Sequence, residues 1–300
     1  MNYRKWIETN TESLVGKTVA ITGSTGGIGK ELSRYLASLG ANLVLVDRNA
    51  KRSEDNRAEL LKNYPGVNVE CIGADLSDIC SVKRACELLK ARDLDVFIHN
   101  AGAYSIPRYT TDLGYDNVFV INFVSVYYMI RELMPTLRAR SGRVTVVGSI
   151  AHNYSKIDVN DVDFSKRTAA SKVYGNSKRY LMFSLHELFK NESGVRLAIT
   201  HPGITFTNIT SHYPKLIFAI IKYPMKIIFM KPKKAALSIL RGVFDSTEYH
   251  TWYGPRCFNV WGLPKKKRLK TCKSRESEII AEISEQIYKE CQEYLNSKEV

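Results

Sequence analysis

The sequence predicts an α/β fold in which one doubly wound parallel sheet carries helices on both faces. Short apolar runs rich in β-forming residues alternate with longer helical patterns through the first two hundred residues, and this alternation is typical of a parallel sheet covered on both sides. The chain has 300 residues, 44% of them apolar, with no internal repeat and no segment that resembles a flexible linker. We therefore expect a single domain over residues 1–300.

The periodicity of the apolar residues predicts six strands and the helices between them. The strand candidates are residues 18–22, 42–47, 67–73, 94–100, 142–149 and 195–201. The helical patterns between them cover 27–39, 51–63, 78–91, about 111–139 and 172–193. A last helical pattern at 276–295 packs either on this domain or on another subunit, so a homo-oligomer stays open. Ligands of such a sheet bind beyond the carboxyl ends of the strands, which makes the residues after each strand the candidates for function.

The first strand candidate runs into the turn "TGSTGGIG" (22–29), and a helix follows at once. The glycines permit a tight turn and a close backbone approach, and the free N–H groups and positive dipole of the helix start suit a pyrophosphate. The turn predicts a dinucleotide site, although its glycine spacing differs from the G-x-G-x-x-G form.

The second strand candidate ends in Asp47, and Arg48 follows it. A carboxylate at this place accepts hydrogen bonds from the ribose hydroxyls of adenosine and repels a 2′-phosphate, whereas an arginine attracts that phosphate. Gly26, inside the glycine turn, supplies no second cation. We therefore expect NAD or NADP as the cofactor, with a preference for NAD.

A tyrosine and a lysine lie one helical turn apart in "YGNSK" (174–178). This spacing puts both side chains on one face of a helix. An isolated pair of this kind is usually a surface feature without a role, so its meaning depends on the rest of the chain.

Seven motifs in register make the chain resemble the short-chain dehydrogenase/reductase family, whose fold is Rossmann-like. The resemblance covers about residues 16–210. His99 stands where the family most often has asparagine, and the loop Asn100–Gly102 is intact. The motifs are "TGSTGGIG" (22–29), "ADL" (74–76), "HNAG" (99–102), Asn122 in "VINFVS", Ser149 in "VVGSIAH", "YGNSK" (174–178) and "HPGITFT" (201–207).

The resemblance implies hydride transfer between a nicotinamide and an alcohol or carbonyl group, with Tyr174 as general acid or base. A phenol with a pKa of about 10 is a poor base near neutrality. The Lys178 ammonium and the oxidised nicotinamide are expected to lower that pKa. By the same resemblance, Ser149 positions the substrate oxygen, and Asn122 holds a water that relays protons through Lys178.

The resemblance also implies the cofactor contacts. Thr207 matches the threonine that meets the nicotinamide carboxamide, and Asp75 with Leu76 matches the pair that meets the adenine. Asp75 has a plainer alternative, which is to cap the next helix in competition with Ser77. The other cofactor-binding candidates are Gly23, Ser24, Gly27, Ile28, Asp47, Arg48, Asn100, Gly102 and Lys178; no metal site is expected.

The interval between Ser149 and Tyr174 is 25 residues (174 − 149), about twice the family's commonest interval. Together with "SIAH" and "DVDF", it resembles the retinol-dehydrogenase-like branch, which implies a lipophilic alcohol or carbonyl substrate. That branch usually has an uncharged residue where this chain has Asp47, and its usual NADP preference is therefore not assumed here.

An apolar segment at about 208–234 includes "KLIFAIIKYPMKIIFMKPKK" (215–234), which Lys222, Pro224 and Lys226 interrupt. A membrane span needs roughly 20 nearly uninterrupted apolar residues. The segment therefore predicts a lid over the substrate first, and peripheral membrane contact second.

The chain has a net charge of +14, and part of it is local: seven of the twelve residues of "PKKKRLKTCKSR" (264–275) are Lys or Arg and none is acidic. This run opens a basic C-terminal extension at about 264–300. We interpret this run as solvated charge; nucleic acid is not an expected partner, because no nucleic-acid motif accompanies it. Six cysteines without paired or metal-ligand spacing indicate reduced thiols and a cytoplasmic location. The alternative to an enzyme is a non-catalytic dinucleotide sensor or a membrane-docking protein on the same fold.

Overall fold

The computed structural model describes residues 3–204, 230–269 and 274–298. Within them, eight strands form one sheet in the order β3-β2-β1-β4-β5-β6-β7-β8. Strands β1 to β7 are parallel, and β8 is antiparallel to β7. The strands are β1 (Thr18–Thr22), β2 (Asn42–Asp47), β3 (Val69–Gly73), β4 (Leu94–His99), β5 (Arg143–Val147), β6 (Arg196–Thr200), β7 (Thr251–Cys257) and β8 (Trp261–Arg268).

Helices connect the parallel strands and follow the last hairpin. A π-helical turn (Val120–Val124) lies between α5 and α6, and a short 3-10 turn (Ile150–Asn153) follows β5. The helices are α1 (Tyr3–Asn10), α2 (Gly27–Ser38), α3 (Ala50–Asn63), α4 (Ile79–Lys90), α5 (Asn117–Phe119), α6 (Ser125–Ala139), α7 (Ala170–Leu188), α8 (Pro232–Phe244) and α9 (Ser274–Lys298).

Apolar side chains are buried on both faces of the sheet. On one face, Phe97 of β4 packs in a cluster with residues of α4, α6, α7 and α9, including Phe123 and Tyr180. On the other face, Ile21 of β1 packs with residues of α1, α2, α3 and α8, including Leu36. Burial of this kind on two faces is the main stabilising term of such a fold. It confirms the predicted doubly wound α/β architecture.

The six predicted strands are all present, and each boundary lies within two residues of its expected place. The helical pattern at about 111–139 starts later than expected, at Asn117. The cause is a turn in which Thr110 bridges Asp116 and the Asp116 side chain caps the helix by accepting from Val118 N.

Four elements were not predicted: α1, α8, β7 and β8. Strand β8 overlaps the start of the segment at about 264–300 that we interpret as a basic extension, and it continues the main sheet through its pairing with β7. The rest of that segment includes α9, which packs on α7 and α6 of the same chain. The expected lid at about 208–234 lies largely outside the described residues.

One helical stretch among the described residues, Asn117–Ala139, has the length and apolarity that a membrane crossing requires. Its apolar window is 78% buried inside the fold, where it contacts the sheet and α4. We therefore assign it to the core of the domain.

Candidate active site

The glycine turn between β1 and α2 is shaped by close backbone contacts. Gly23 has a φ of +72°, and a Cβ there would lie 2.8 Å from Ala101 Cα. A Cβ on Gly29 would lie 2.0 Å from the Gly23 carbonyl oxygen. Both positions therefore require glycine. Asn100 closes the turn from β4, because its Nδ2 donates to the Thr22 and Gly23 carbonyls at 3.2 and 3.0 Å.

The start of α2 differs from the starts of the next two helices. Asn49 caps α3 by accepting from Arg52 N, and Asp78 caps α4 by accepting from Cys80 N. No side chain caps α2, whose N-cap is Gly26. Its first N–H groups therefore lack an intramolecular side-chain acceptor, which suits an anion such as a pyrophosphate. The cap at Asp78 also shows that neither Asp75 nor Ser77 caps α4.

A cleft of about 460 Å³ opens along the carboxyl ends of β1 to β4. Asp75 lies at its wall, with its Oδ1 accepting from the Ser77 amide at 2.9 Å and the Ser77 hydroxyl at 2.7 Å. Nine of the predicted cofactor residues line the cleft: Gly23, Gly27, Ile28, Asp47, Arg48, Asp75, Leu76, Asn100 and Gly102. Ser24 lies behind the cleft, and Thr207 lies outside the described residues.

Asp47 is buried, and its carboxylate is held by groups of the protein. Its Oδ2 accepts from the Ser24 hydroxyl at 2.5 Å and from the Ser53 hydroxyl at 3.0 Å. Its Oδ1 accepts from the amide and hydroxyl of Thr25 at 3.3 and 3.4 Å. Most of the acceptor capacity of this carboxylate is therefore used inside the protein.

Two arginines line the cleft beside Asp47. Arg48 and Arg52 are both exposed, and neither guanidinium is in an ion pair with a described residue. Sequence reasoning missed Arg52, because a basic residue in the first turn of a helix carries no signal until the helix is placed against the strand ends.

Ser149, Tyr174 and Lys178 come together where β5 and α7 meet. The Ser149 hydroxyl accepts from Ala151 N at 3.2 Å and lies near enough to the Tyr174 phenol to act against the rise of the Tyr174 pKa. Lys178 Nζ donates to the Val147 carbonyl at 2.9 Å and lies 5.8 Å from the centre of the Tyr174 ring. Tyr104, which the sequence did not single out, packs edge-on against Tyr174 with the ring centres 5.2 Å apart.

The protein groups alone do not lower the pKa of Tyr174. Burial raises the pKa of Tyr174 to about 12, although the nearby Ser149 hydroxyl acts in the opposite direction. Burial also lowers the pKa of Lys178 to about 7. We had expected Lys178 to lower the pKa of Tyr174; the buried lysine instead loses much of its own charge near neutrality.

Asn122 lies in the π-helical turn, on the side of Gly102 that also faces Lys178. Its Nδ2 donates to the Ala103 and Val118 carbonyls at 2.8 and 2.9 Å, and its Oδ1 accepts from Ala103 N at 3.0 Å. A Cβ on Gly102 would lie 2.9 Å from that Oδ1. Asn122 therefore fixes the loop after β4 against the helix, and π-helical turns are frequent at functional sites.

His99 is buried between β1 and β5, where it takes part in a small network with Thr22. The Thr22 hydroxyl accepts from the amides of Asn100 and Ala101, both at 3.1 Å, and lies 3.0 Å from His99 Nδ1. Two accepted bonds fill both lone pairs of the hydroxyl, so its proton must go to His99 Nδ1. Burial and Lys178 hold the pKa of His99 well below its usual value, and the imidazole is neutral.

Comparisons with known proteins give a consistent result. A family model described as short chain dehydrogenase matches residues 17–215. Retinol dehydrogenase 12 of Mus musculus is 31% identical over 207 residues, which are 67% of this chain and 66% of that protein. The matched regions span about two thirds of the length of the curated relatives.

Solved structures show the same fold. A crystal structure of an uncharacterized protein from Mycobacterium Paratuberculosis superposes with a TM-score of 0.73 at 24% identity, over 94% of this chain and 96% of that one. The Pseudomonas aeruginosa RhlG/NADP active-site complex superposes with a TM-score of 0.58 at 26% identity, over 78% of this chain and 93% of that one.

Proposed function

The chain belongs to the short-chain dehydrogenase family, in its retinol-dehydrogenase-like branch, and from this premise we propose that it transfers a hydride between a nicotinamide cofactor and a lipophilic alcohol or carbonyl compound. The observation that carries the proposal is that Ser149, Tyr174 and Lys178 meet at the end of β5, with the Ser149 hydroxyl near the phenol and Lys178 Nζ 5.8 Å from the centre of the Tyr174 ring. Such a group can hold a substrate oxygen and move a proton to or from it.

The residues present fit a dinucleotide. The uncapped start of α2 supports binding of the pyrophosphate, and Gly23 and Gly29 keep the backbone free of side chains there. Arg48, Asp75 and Leu76 line the part of the cleft that would hold the adenosine. When bound, the cofactor supplies or accepts the hydride.

The side chains handle the substrate oxygen and its proton. In the direction of reduction, Ser149 donates a hydrogen bond to the carbonyl oxygen, and Tyr174 gives that oxygen the proton that accompanies the hydride. In the direction of oxidation, Tyr174 takes the proton back. Lys178, with a pKa of about 7, exchanges protons readily near neutrality and can restore the protonation of the site.

We propose NADP rather than NAD as the preferred cofactor. The sequence favoured NAD because of the carboxylate of Asp47, but Ser24, Ser53 and Thr25 hold that carboxylate inside the protein. Arg48 and Arg52 are exposed beside it, and two guanidinium groups favour a 2′-phosphate. The NADP complex of the Pseudomonas aeruginosa relative supports the same choice.

The surroundings of Tyr174 support a lipophilic substrate. Tyr104 packs on its ring, and Ile106 and Ile121 line the adjoining part of the cleft. The retinol dehydrogenase of the mouse is a relative of this chain. We also propose a cytoplasmic location, because Cys71, Cys80, Cys86, Cys257 and Cys291 are free thiols.

The test of the proposal is the variant Tyr174→Phe. We expect NADPH-dependent reduction of aldehydes and ketones of increasing chain length, followed by the absorbance of the reduced nicotinamide, to fall by about 10²–10⁴-fold in this variant. Binding of NADPH should be preserved, since the phenol acts on the substrate oxygen.

Tyr180→Phe is the matched control. Tyr180 lies on the same helix, and its buried hydroxyl has no partner among the described residues, so its removal should leave turnover nearly unchanged. Full activity of Tyr174→Phe with a substrate that the wild type reduces would exclude the proposed proton transfer.

A further inference from the structure

The β7–β8 hairpin ends in an exposed tip, formed by residues 257–261. Phe258 is 86% exposed and Trp261 is 41% exposed. Phe258 and Asn259 both have a positive φ, at 49° and 59°, which is an uncommon conformation for a bulky residue such as phenylalanine. Val260 N donates to the Cys257 carbonyl at 2.9 Å, so Phe258 and Asn259 are the central residues of a tight hairpin turn, in which positive φ is expected. Such turns usually carry asparagine, aspartate or glycine at their centre, so an exposed phenylalanine is unusual at this tip.

The tip lies at the same edge of the sheet as the active site. His201 follows β6 as Ser149 follows β5, and His201 Nε2 donates to the Asn259 carbonyl at 3.1 Å. A Cβ on Gly203 would lie 2.7 Å from the Val260 carbonyl oxygen. The hairpin is therefore fixed against the rim where the parallel strands end.

Exposed cations flank the tip on β7 and β8, and others lie at the start of helix α8. Arg256 and Lys265 flank the tip along β7 and β8, and both are exposed. Helix α8 begins at the same rim, because Met230 N donates to the Ile204 carbonyl at 2.9 Å. The exposed lysines at its start are Lys231, Lys233 and Lys234.

The acidic residues of this part of the chain, Asp245 and Glu248, pair with Arg241 and Lys266, which are not among the cations named above. The described segments 230–244 and 249–269 contain no acidic residue. Burial and the neighbouring Lys265 lower the pKa of Lys267, as is expected where like charges are close. The rim thus presents aromatic side chains and a positive field together.

Protection of an edge strand explains only part of this arrangement. Lysines on an exposed edge prevent pairing with other chains, which would account for Lys265 and Lys266 on β8. It does not account for an aromatic side chain at the tip, nor for the lysines at the start of α8.

We propose that this rim docks on an anionic lipid surface, with Phe258 and Trp261 entering the boundary between headgroups and acyl chains and the surrounding lysines and arginine meeting the headgroups. Aromatic rings favour that boundary, and basic residues near it are attracted by anionic lipids. The docking does not depend on the proposed oxidoreductase activity. If the protein both docks and catalyses, docking brings the cleft close to the membrane in which a lipophilic substrate dissolves, because the tip and the cleft lie at the same edge of the sheet.

The three tryptophans allow a direct test. Trp6 and Trp252 are buried, at 6% and 3% exposure, so a blue shift of tryptophan fluorescence on binding reports Trp261. We expect this shift and co-sedimentation with vesicles of phosphatidylcholine containing about 30% phosphatidylserine, and a steep loss of both as salt rises.

Variants separate the tip from the rest of the surface. Phe258→Ser should weaken binding to these vesicles by about tenfold, and the double variant Lys233→Glu, Lys234→Glu by about tenfold or more. The matched control is Val15→Ser, since Val15 is 76% exposed but precedes β1, at the opposite edge of the sheet. Turnover of a water-soluble aldehyde should be the same in all of them, because none of these residues lines the cleft.

The proposal is overturned if the wild type does not bind the anionic vesicles, or if Phe258→Ser binds them as tightly as the wild type does. Binding of duplex DNA without binding of vesicles would likewise overturn it. A protein that docks but shows no NADPH-dependent turnover would leave the docking intact and contradict only the proposed function.

Discussion

Lys178 is a nearly fully buried amine whose charge is unfavourable where it lies. The side chain is 2% exposed, and its Nζ donates to the Val147 carbonyl. Burial lowers the pKa of Lys178 from 10.5 to about 7. Between these two pH values the unfolded chain binds more protons than the folded chain, so the free energy of unfolding rises with pH through that window. At neutral and lower pH the buried ammonium therefore lowers the free energy of unfolding. Such a cost is common for groups that have a function.

The variant Lys178→Met should show this linkage. Its stability advantage over the wild type, measured by urea unfolding without cofactor, should be about 2–3 kcal/mol larger at about pH 6 than at about pH 9. The comparison between two pH values removes the constant effect of losing the bond to Val147. Tyr174, whose pKa is raised to about 12, does not interfere, because it begins to affect stability only above about pH 10.

Lys172→Met serves as the control, since Lys172 is exposed on the same helix and its variant should show no such dependence on pH. If the free energies of unfolding of Lys178→Met and the wild type differed by the same amount at both pH values, burial would not destabilise the ammonium. The proposed proton exchange by Lys178 near neutrality would then lack its physical basis.

Helix α9 supports the short 3-10 turn that follows Ser149. Arg179 is buried, and it donates to both oxygens of Glu276 on α9, at 2.8 and 2.6 Å. Its Nη1 donates to the His152 carbonyl at 2.8 Å, and His152 Nδ1 in turn donates to the Ser149 carbonyl at 2.6 Å. The first turn of α9 therefore holds the segment that carries Ser149.

Removal of the charge on Glu276 tests this support. Glu276→Gln leaves the Arg179 guanidinium buried without its partner, and we expect a loss of about 3 kcal/mol in the free energy of unfolding. We also expect kcat to fall while the affinity for NADPH is kept, because Ser149 moves relative to Tyr174 and the dinucleotide site does not change.

Glu285→Gln is the comparison on the same helix. Glu285 pairs with Arg131 and Tyr127, away from the 3-10 turn that follows Ser149, so its loss should affect stability and leave kcat alone. Equal kcat values for the two variants and the wild type, measured well below the melting temperature, would mean that the Arg179–Glu276 pair is structural only.

At the scale of the whole molecule, the cofactor cleft joins the ends of four strands with the start of α2. A ligand that binds only the folded chain stabilises all of these elements together, by about 2.7 kcal/mol at a hundred times its dissociation constant. We expect NADPH to raise the melting temperature more than NADH does at equal concentration. Arg48→Ala should remove most of this difference, and Arg196→Ala, at an exposed position at the other end of the sheet, should not.

A larger shift with NADH in the wild type would show that Asp47, and not the arginines, decides the choice of cofactor. Measurement of both dissociation constants by titration would then give the size of that preference.

The parallel part of the fold could be predicted because its strands are buried on both faces and read as continuous apolar runs. Strands β7 and β8 escaped prediction for the opposite reason. Strand β7 contains Gly254 and Pro255, which normally indicate a turn, and β8 contains Lys265 and its basic neighbours. These residues pair as strands because β6 provides an edge on which to form them, a long-range effect that local pattern cannot show.

The sequence predicted which single residues belong to the candidate site, but it did not predict the contacts among them. The turn at Gly23 and the groups Ser149, Tyr174 and Lys178 could be located because each follows a strand or repeats at helical spacing. The hydroxyls that hold the carboxylate of Asp47 could not, because Ser53 comes from the next helix and contacts it only after folding. For the same reason, the shifts in the pKa of Tyr174 and Lys178 could not be predicted from the sequence, because both depend on burial in the folded chain.

The contact between Arg179 and Glu276 also has a consequence for how the protein is made. A ribosome delivers the chain from its amino end, so the strands and the catalytic tyrosine emerge well before residue 276 does. A product that ends between residues 269 and 274 contains all eight described strands and the residues of the cofactor cleft. It lacks Glu276, which holds Arg179 and, through Arg179, the turn that follows Ser149. We therefore expect a chain shortened in this way to bind the dinucleotide but to turn over substrate more slowly than the full chain.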